Sequence, residues 1–242
     1  MVSYRSHDPR SWPVSFGLPM SNQSSCSYKS KGLRQRTPKM YRAAELFGGK
    51  MRVNVPQSMD DISHFRPVPD NQEIFADASS DCSVIIEALE HVGEINQSNH
   101  PVPAAFFLND LAHVHSADQS SSLEHAEMLN RLEDSLPSLG LPSPSASIAC
   151  GLQHIAKHGE DATNRVRLCV GNIRLPDFET DLLITVNQPV HMSPSSSSAS
   201  ATASSCCLPY NYAYSVLLKA FQSLTVVDSS LFGSGAADET GA

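Results

Sequence analysis

The 242-residue chain contains no apolar run approaching the 18 residues needed to cross a membrane as a helix, and no hydrophobic signal-peptide core follows Met1. Neither a secretory nor a helical membrane class is therefore expected. Its six cysteines, at 26, 82, 150, 169, 206 and 207, form no Cys-x-x-Cys pair, and the adjacent 206 and 207 are badly placed to bridge each other. Reduced thiols in a cytosolic or nuclear protein are the expectation. Recognisable catalytic signatures are missing too: there is no Gly-x-Ser-x-Gly, no His-Glu-x-x-His and no glycine-rich dinucleotide turn. Gly48-Gly49-Lys50 resembles a phosphate loop only in part, because Ala44 and Met51 occupy the positions that need glycine and Ser or Thr. An enzyme is not expected, and neither is a cofactor.

Aromatic residues make up only 7% of the chain and prolines number 16, so part of it contributes little to a core, although an apolar content of 40% suffices for one domain. Charge is divided unevenly. Eight of the 17 basic residues but one of the 25 acidic ones precede residue 43, a local balance of +7; the remaining nine and 24 leave −15. An acidic body repels nucleic acid and anionic membrane and attracts basic protein surfaces.

Residues 1–44, rich in Ser, Pro and basic side chains, read as a disordered leader, with Met40 as an alternative start. A transit peptide fits poorly, since Pro9, Pro13 and Pro19 would break its helix; a nuclear localisation patch between Lys29 and Lys39 is the other functional reading. Residues 45–232 read as one domain with insertions near 116–145 and 191–207, and 233–242 as a tail. Within the domain, Gly48 and Gly49 open an alternating strand with Met51, Val53 and Val55 inward. Asp60 or Asp61 caps a helical turn ending near Phe65. Residues 82–92 read as a helix capped by Asp81 or Ser80, with His91 as a last-turn cation, and 148–158 as another. Residues 104–111 are a buried strand or a helix end, which periodicity leaves open, and 123–136 a helical candidate. Residues 165–190 form two apolar strands joined at Pro176-Asp177. The Ser/Ala tract at 191–205 is a flexible loop, and Asn211 caps a helix with Tyr214, Leu217 or Leu218, Phe221 and Leu224 inward.

The stretch 66–75, Arg-Pro-Val-Pro-Asp-Asn-Gln-Glu-Ile-Phe, organises the rest. Pro67 and Pro69 stiffen the approach to an Asp70-Asn71 turn, after which 72–75 alternates as a strand with Ile74 on one face and Glu73 and Phe75 on the other. Two carboxylates, Asp70 and Glu73, are thereby expected close together. They read equally as a turn cap with an edge-strand solubiliser or as a functional pair. Cys150, His154 and His158, at i, i+4 and i+8, are the nearest approach to a zinc set, without an evident fourth ligand, and a polar helix face is the preferred reading.

Together with Leu46-Phe47-Gly48-Gly49, the run 83–90, Ile173-Arg174-Leu175, Phe178, Thr180-Asp181, Ile184, Asn187, Pro189 and 226–232, the stretch resembles the Ran guanine nucleotide release factor family. The resemblance implies an α+β fold: a mostly antiparallel central sheet with helices on its faces, similar to the extrinsic P protein of photosystem II. It favours a strand at 104–111. It further implies a monomeric factor of nucleus and cytoplasm that binds the small GTPase Ran and promotes nucleotide release in nuclear protein import. Asp70 and Glu73, flanked by Arg66, Asn71 and Gln72, would form its Ran-binding surface. The alternative is an adaptor of the same fold that binds another partner and leaves nucleotide affinity unchanged.

Overall fold

The computed structural model describes residues 40–93, 95, 102–117, 120–129, 139, 141, 144–156, 159–199 and 208–232. Among the described residues ten strands form two antiparallel sheets. β1 (Tyr41–Leu46), β2 (Met51–Pro56) and β10 (Thr225–Val226) make a small sheet in the order β1-β2-β10. β3 (Asp60–Asp61), β4 (Gln72–Asp77), β5 (Cys82–Glu90), β6 (Ser122–Met128), β7 (Ser145–Ala156), β8 (Thr163–Leu175) and β9 (Thr180–His191) make a large one, ordered β3-β4-β5-β9-β8-β7-β6. Among the described residues two helices, α1 (Pro103–Val114) and α2 (Tyr212–Ser223), complete the α+β architecture expected from the sequence.

Each face of the large sheet is covered, which explains why its central strands lack a clean polar/apolar alternation. On one face, α1 lays Ala104, Phe107, Leu108 and Leu111 against Ala149, Leu168, Val170 and Leu183. On the other, α2 and the small sheet enclose the main core through Val216, Leu217, Phe221, Met51, Val53 and Val55, set against Val84, Ile86, Ile173, Ile184 and Val186. α2 approaches so closely that a Cβ on Gly171 of β8 would lie 2.4 Å from Phe221 Cζ and 2.9 Å from Leu217 Cδ1. The absent side chain sets the spacing of this layer.

Several expectations are overturned, each for a physical reason. Residues 82–90 are strand β5, not a helix: Val84 and Ile86 face one core, Ile85 another, and burial on both sides produces a continuous apolar run that mimics helical spacing. Asp81 is no helix cap but a left-handed turn residue, φ 57°, whose N–H donates to Asp77 O. Residues 145–156 are strand β7 for the same reason. Cys150 and His154, four residues apart on a strand, are therefore separated by roughly 13 Å and cannot share a metal, and His158 lies outside the described residues. Instead Cys150 stands opposite Cys169 of β8, and the two form a buried disulfide, contrary to the expectation of reduced thiols throughout; register places the pair where a spacing of 19 gave no signal. Cys82 is a buried free thiol, its pKa pushed up to about 12, chiefly by burial.

Residues 103–114 are helix, begun by Pro103 and sustained by alanine and leucine, not the strand that the family resemblance favours. In the expected insertion the helical candidate 123–136 is not borne out where it is described: 122–128 is the edge strand β6, paired along β7, and 130–136 lie outside the described residues. The start of β1 at Tyr41 brings the end of the presumed leader into the small sheet, because Ala44 and Leu46 complete its buried face; residues 1–39 lie outside the description. The Ser-rich tract is held at its beginning: Ser193 N donates to Asn164 Oδ1 at 2.9 Å, and Ser198 Oγ to Asp81 Oδ2 at 2.7 Å. Asn211 precedes α2, yet its side chain makes no cap bond; Gln188 of β9 accepts from Ala213 N at 3.1 Å instead. The hairpin of β8 and β9, the helical turn capped by Asp61, and the alternation of β2 agree with expectation.

Gly171→Ala is expected to force α2 away from the sheet and to cost about 1–3 kcal/mol, typical of overpacking in a close-packed core. Chemical denaturation would show a lower midpoint with an unchanged slope; an unchanged midpoint would mean that α2 is not seated as described.

Candidate interaction surface around the 66–75 stretch

Pro67 and Pro69 bring the chain extended along the edge of the large sheet, with Val68 packed on Ile62, Ile74, Ala76 and Ile85. Gln72 N then donates to Pro69 O at 2.9 Å, closing the expected turn with Asp70 and Asn71 at its corners. Asn71 anchors the turn. Its backbone O accepts from Ala88 N at 3.0 Å and its Nδ2 donates to Ala88 O at 3.2 Å, extending the β4–β5 ladder past its last strand pair. Gln72 Nε2 donates to a buried Glu87 carboxylate on the neighbouring strand. Asp70 is left exposed at the tip of a turn braced on both sides.

Glu73 belongs to a different environment. It projects on the Phe75 side of β4, half-buried, where Oε1 accepts from Phe47 N at 2.6 Å. Phe47, Gly48 and Gly49 all have positive φ, 51°, 66° and 86°, and Phe47 is the one of the three for which that conformation is sterically costly. The Glu73 carboxylate thus satisfies the N–H of a strained residue in the β1–β2 turn and ties the two sheets together. Burial, then repulsion by Asp61, raises its pKa, while the Phe47 N–H acts the other way. Arg66, half-buried with its N–H on Ile62 O at 3.2 Å, has its guanidinium pKa lowered by burial. The two carboxylates expected to work as a pair therefore divide: Asp70 faces solvent, and Glu73 faces the β1–β2 turn.

Sequence reasoning missed the surface next to Glu73. Arg42, Ala43, Ala44 and Glu45 of β1 form one wall of an open groove of about 500 Å³, and Asp60, Asp61, His64 and Phe65 form the other, with Phe75 behind. Arg42 is held there by Met59 O at 2.9 Å and by the Phe75 ring, 5.7 Å from its centroid. Only the Asp61 cap was visible in the sequence; Asp61 Oδ1 does accept from Ser63 N at 2.8 Å. The pairing of β3 with β4, which brings residue 61 beside residue 75, had no local signal.

A family model described as Ran-interacting Mog1 protein matches residues 44–189, a span that includes the turn and most of the groove. The chain is 35% identical over 188 residues to the Ran guanine nucleotide release factor of Danio rerio, covering 78% of this chain and 98% of that protein. It is 34% identical over 151 residues to the nuclear import protein mog1 of Schizosaccharomyces pombe, covering 60% and 76% respectively. The crystal structure of the Saccharomyces cerevisiae Ran-binding protein Mog1p shares the fold, with a TM-score of 0.55 at 24% identity over 79% of this chain and 98% of that one.

A raised carboxylate pKa means that the folded state favours protonation, so Glu73 costs stability as pH rises from its unfolded value through its folded one. Glu73→Gln, which keeps an acceptor for Phe47 N, is expected to match or exceed the unmodified protein in stability at pH 7, with the difference vanishing below pH 4. Glu73→Ala leaves that N–H without its acceptor and is expected to lose about 1 kcal/mol. Thermal melts of the three proteins from pH 4 to 7 check both; a Gln variant less stable than the Ala variant would refute this role.

Proposed function

The chain belongs to the Ran-interacting Mog1 protein family, and from that membership we propose that it binds the small GTPase Ran and promotes release of its guanine nucleotide, in support of nuclear protein import. The observation that carries the site assignment is the exposed Asp70 carboxylate, presented on a turn whose neighbours are fixed by Ala88, Glu87 and Pro69. A GTPase holds its phosphates through a P-loop lysine and Mg²⁺. An anion fixed in place competes with phosphate for such cations without reorganising first, and the ordering cost of binding is correspondingly small.

Glu73 supports the same surface from behind and, on this reading, contributes its charge to the shared field with Asp61. Gln72 and Asn71 hold the turn, and Arg66 braces the approach to it. No covalent step is involved: the effect on nucleotide comes from differential binding. Thermodynamic linkage requires that a factor which weakens nucleotide binding must itself bind nucleotide-free Ran more tightly by the same ratio. The protein acts as a monomer moving between nucleus and cytoplasm, and the net charge of −8 disfavours nucleic acid and anionic membranes as partners.

Asp70→Lys tests the assignment cleanly, because the side chain is exposed on the turn. Its melting temperature is expected to stay within about 2 °C of the unmodified protein, in keeping with a surface change. Its acceleration of fluorescent guanine nucleotide release from Ran is expected to fall roughly tenfold or more, as for a charge opposed by a like charge across an interface. Undiminished release by a folded Asp70→Lys protein would remove Asp70 from the site. Binding to Ran by the unmodified protein without any change in release would favour an adaptor instead.

A further inference from the structure

We propose that the groove between the outer edge of β1 and the helical turn 62–64 is a second part of the Ran-binding surface, one that receives an extended segment of Ran bearing a lysine or arginine. Phe65 would be its apolar anchor, and Asp60 and Asp61 the carboxylates that meet the cation. This rests on the Ran-binding reading given above.

Shape and chemistry both argue for such an occupant. At about 500 Å³ the groove has room for one or two large side chains, and its walls come from β1 and β3, each the outermost strand of its own sheet. An extended segment can lie along edges of that kind and use their backbone groups. Phe65 is 52% exposed at the rim, whereas Phe75 behind it is 1% exposed. An aromatic ring beside carboxylates suits a basic side chain, whose methylenes lie on the ring while its charge reaches the acids.

The charge balance points the same way. Glu45, Asp60 and Asp61 line the groove; Glu45 meets Arg52 at 3.4 Å and Asp61 has His64 at 3.9 Å, while Arg42, the one Lys or Arg among the lining residues, is engaged by Met59 O and the Phe75 ring. Asp61 stands opposite Phe75 of β4, the strand that the 66–75 stretch enters, so the groove borders that stretch. A second copy of this acidic body would be repelled. The chain's own basic residues, 1–39, are the competing occupant that an experiment must separate from Ran.

Full-length protein carrying Asp60→Lys, Phe65→Ser or the milder Phe65→Leu, each checked for folding by its melt, is titrated with nucleotide-free Ran alongside Asp70→Lys. Asp60→Lys and Phe65→Ser are expected to weaken binding roughly tenfold or more each, as central interface residues do, with Phe65→Leu in between. Affinities within about twofold of the unmodified protein for folded Asp60→Lys and Phe65→Leu, alongside a weakened Asp70→Lys, would overturn the groove while leaving the Ran-binding reading intact. No binding by the unmodified protein would overturn both. A photocrosslinker in place of Phe65 is expected to capture a Ran peptide containing lysine or arginine; capture of residues 1–39 alone would overturn Ran as the occupant.

Discussion

The buried carboxylate of Asp181 fixes the centre of the fold. It lies at the start of β9, fully removed from solvent, and four groups converge on it: Arg174 Nε at 3.0 Å, Asn172 Nδ2 at 3.2 Å, Val92 N at 2.9 Å and His91 Nδ1 at 3.4 Å. Two of these come from β8 and two from the chain just beyond β5. Arg174 also donates to Val92 O, and His91 N donates to Glu179 O at 2.8 Å in the hairpin turn. A buried ion pair of this kind gives little net stability, since desolvation cancels most of the attraction, yet losing one partner costs about 3–5 kcal/mol. Its consequence is register. β5 can pair with β9 in one way only if Val92 N is to reach the carboxylate, and β4, which pairs with the other edge of β5, inherits that register together with the turn that precedes it.

From this anchor the candidate surface follows by two further constraints. Asn71 fastens the turn to Ala88, so Asp70 is held at a fixed distance from the sheet while remaining in water. Glu73 reaches across to Phe47 N and couples the large sheet to the small one whose first strand walls the groove. A single carboxylate therefore carries structural and electrostatic duties together. Its raised pKa records the conflict: the site keeps a charge half out of water, near Asp61, at some expense of stability. Conflicts of this kind concentrate at binding surfaces, where selection acts on the partner and not on the fold alone.

The legible part of the sequence was the part in which local chemistry decides structure. Pro67, Pro69, Asp70 and Asn71 specify an extended approach and a turn whatever surrounds them, and Gly48 and Gly49 mark the left-handed corner of a hairpin. The β8–β9 hairpin was visible because a strand covered on both faces still ends at Pro176. β5 and β7 were misread for the complementary reason. Val84, Ile85, Ile86 and Leu89 look the same to a periodicity argument whether two cores or one helix stripe receive them, and only the tertiary layers distinguish the cases. The groove was illegible because its two walls are separate sheet edges, brought together by β4 and by the coupling through Glu73, with no short-range pattern to announce them.

A rigid surface of this design has a kinetic consequence for a factor that loosens nucleotide. The described body is acidic, and an acidic field raises the encounter rate with a basic partner surface while leaving the stability of the final complex to the contacts made. Those contacts must then discriminate between nucleotide-bound and nucleotide-free forms of the partner, since equal affinity for both changes nothing. A mobile acidic loop would spend part of its binding free energy on ordering itself in either complex. On the proposed assignment, a turn pinned by Ala88 and a groove walled by two strands avoid most of that cost. That saving is common to both complexes and cancels from their difference: it tightens binding to either form, and only contacts made with the nucleotide-free form and lost in the nucleotide-bound one set how far nucleotide affinity can be lowered.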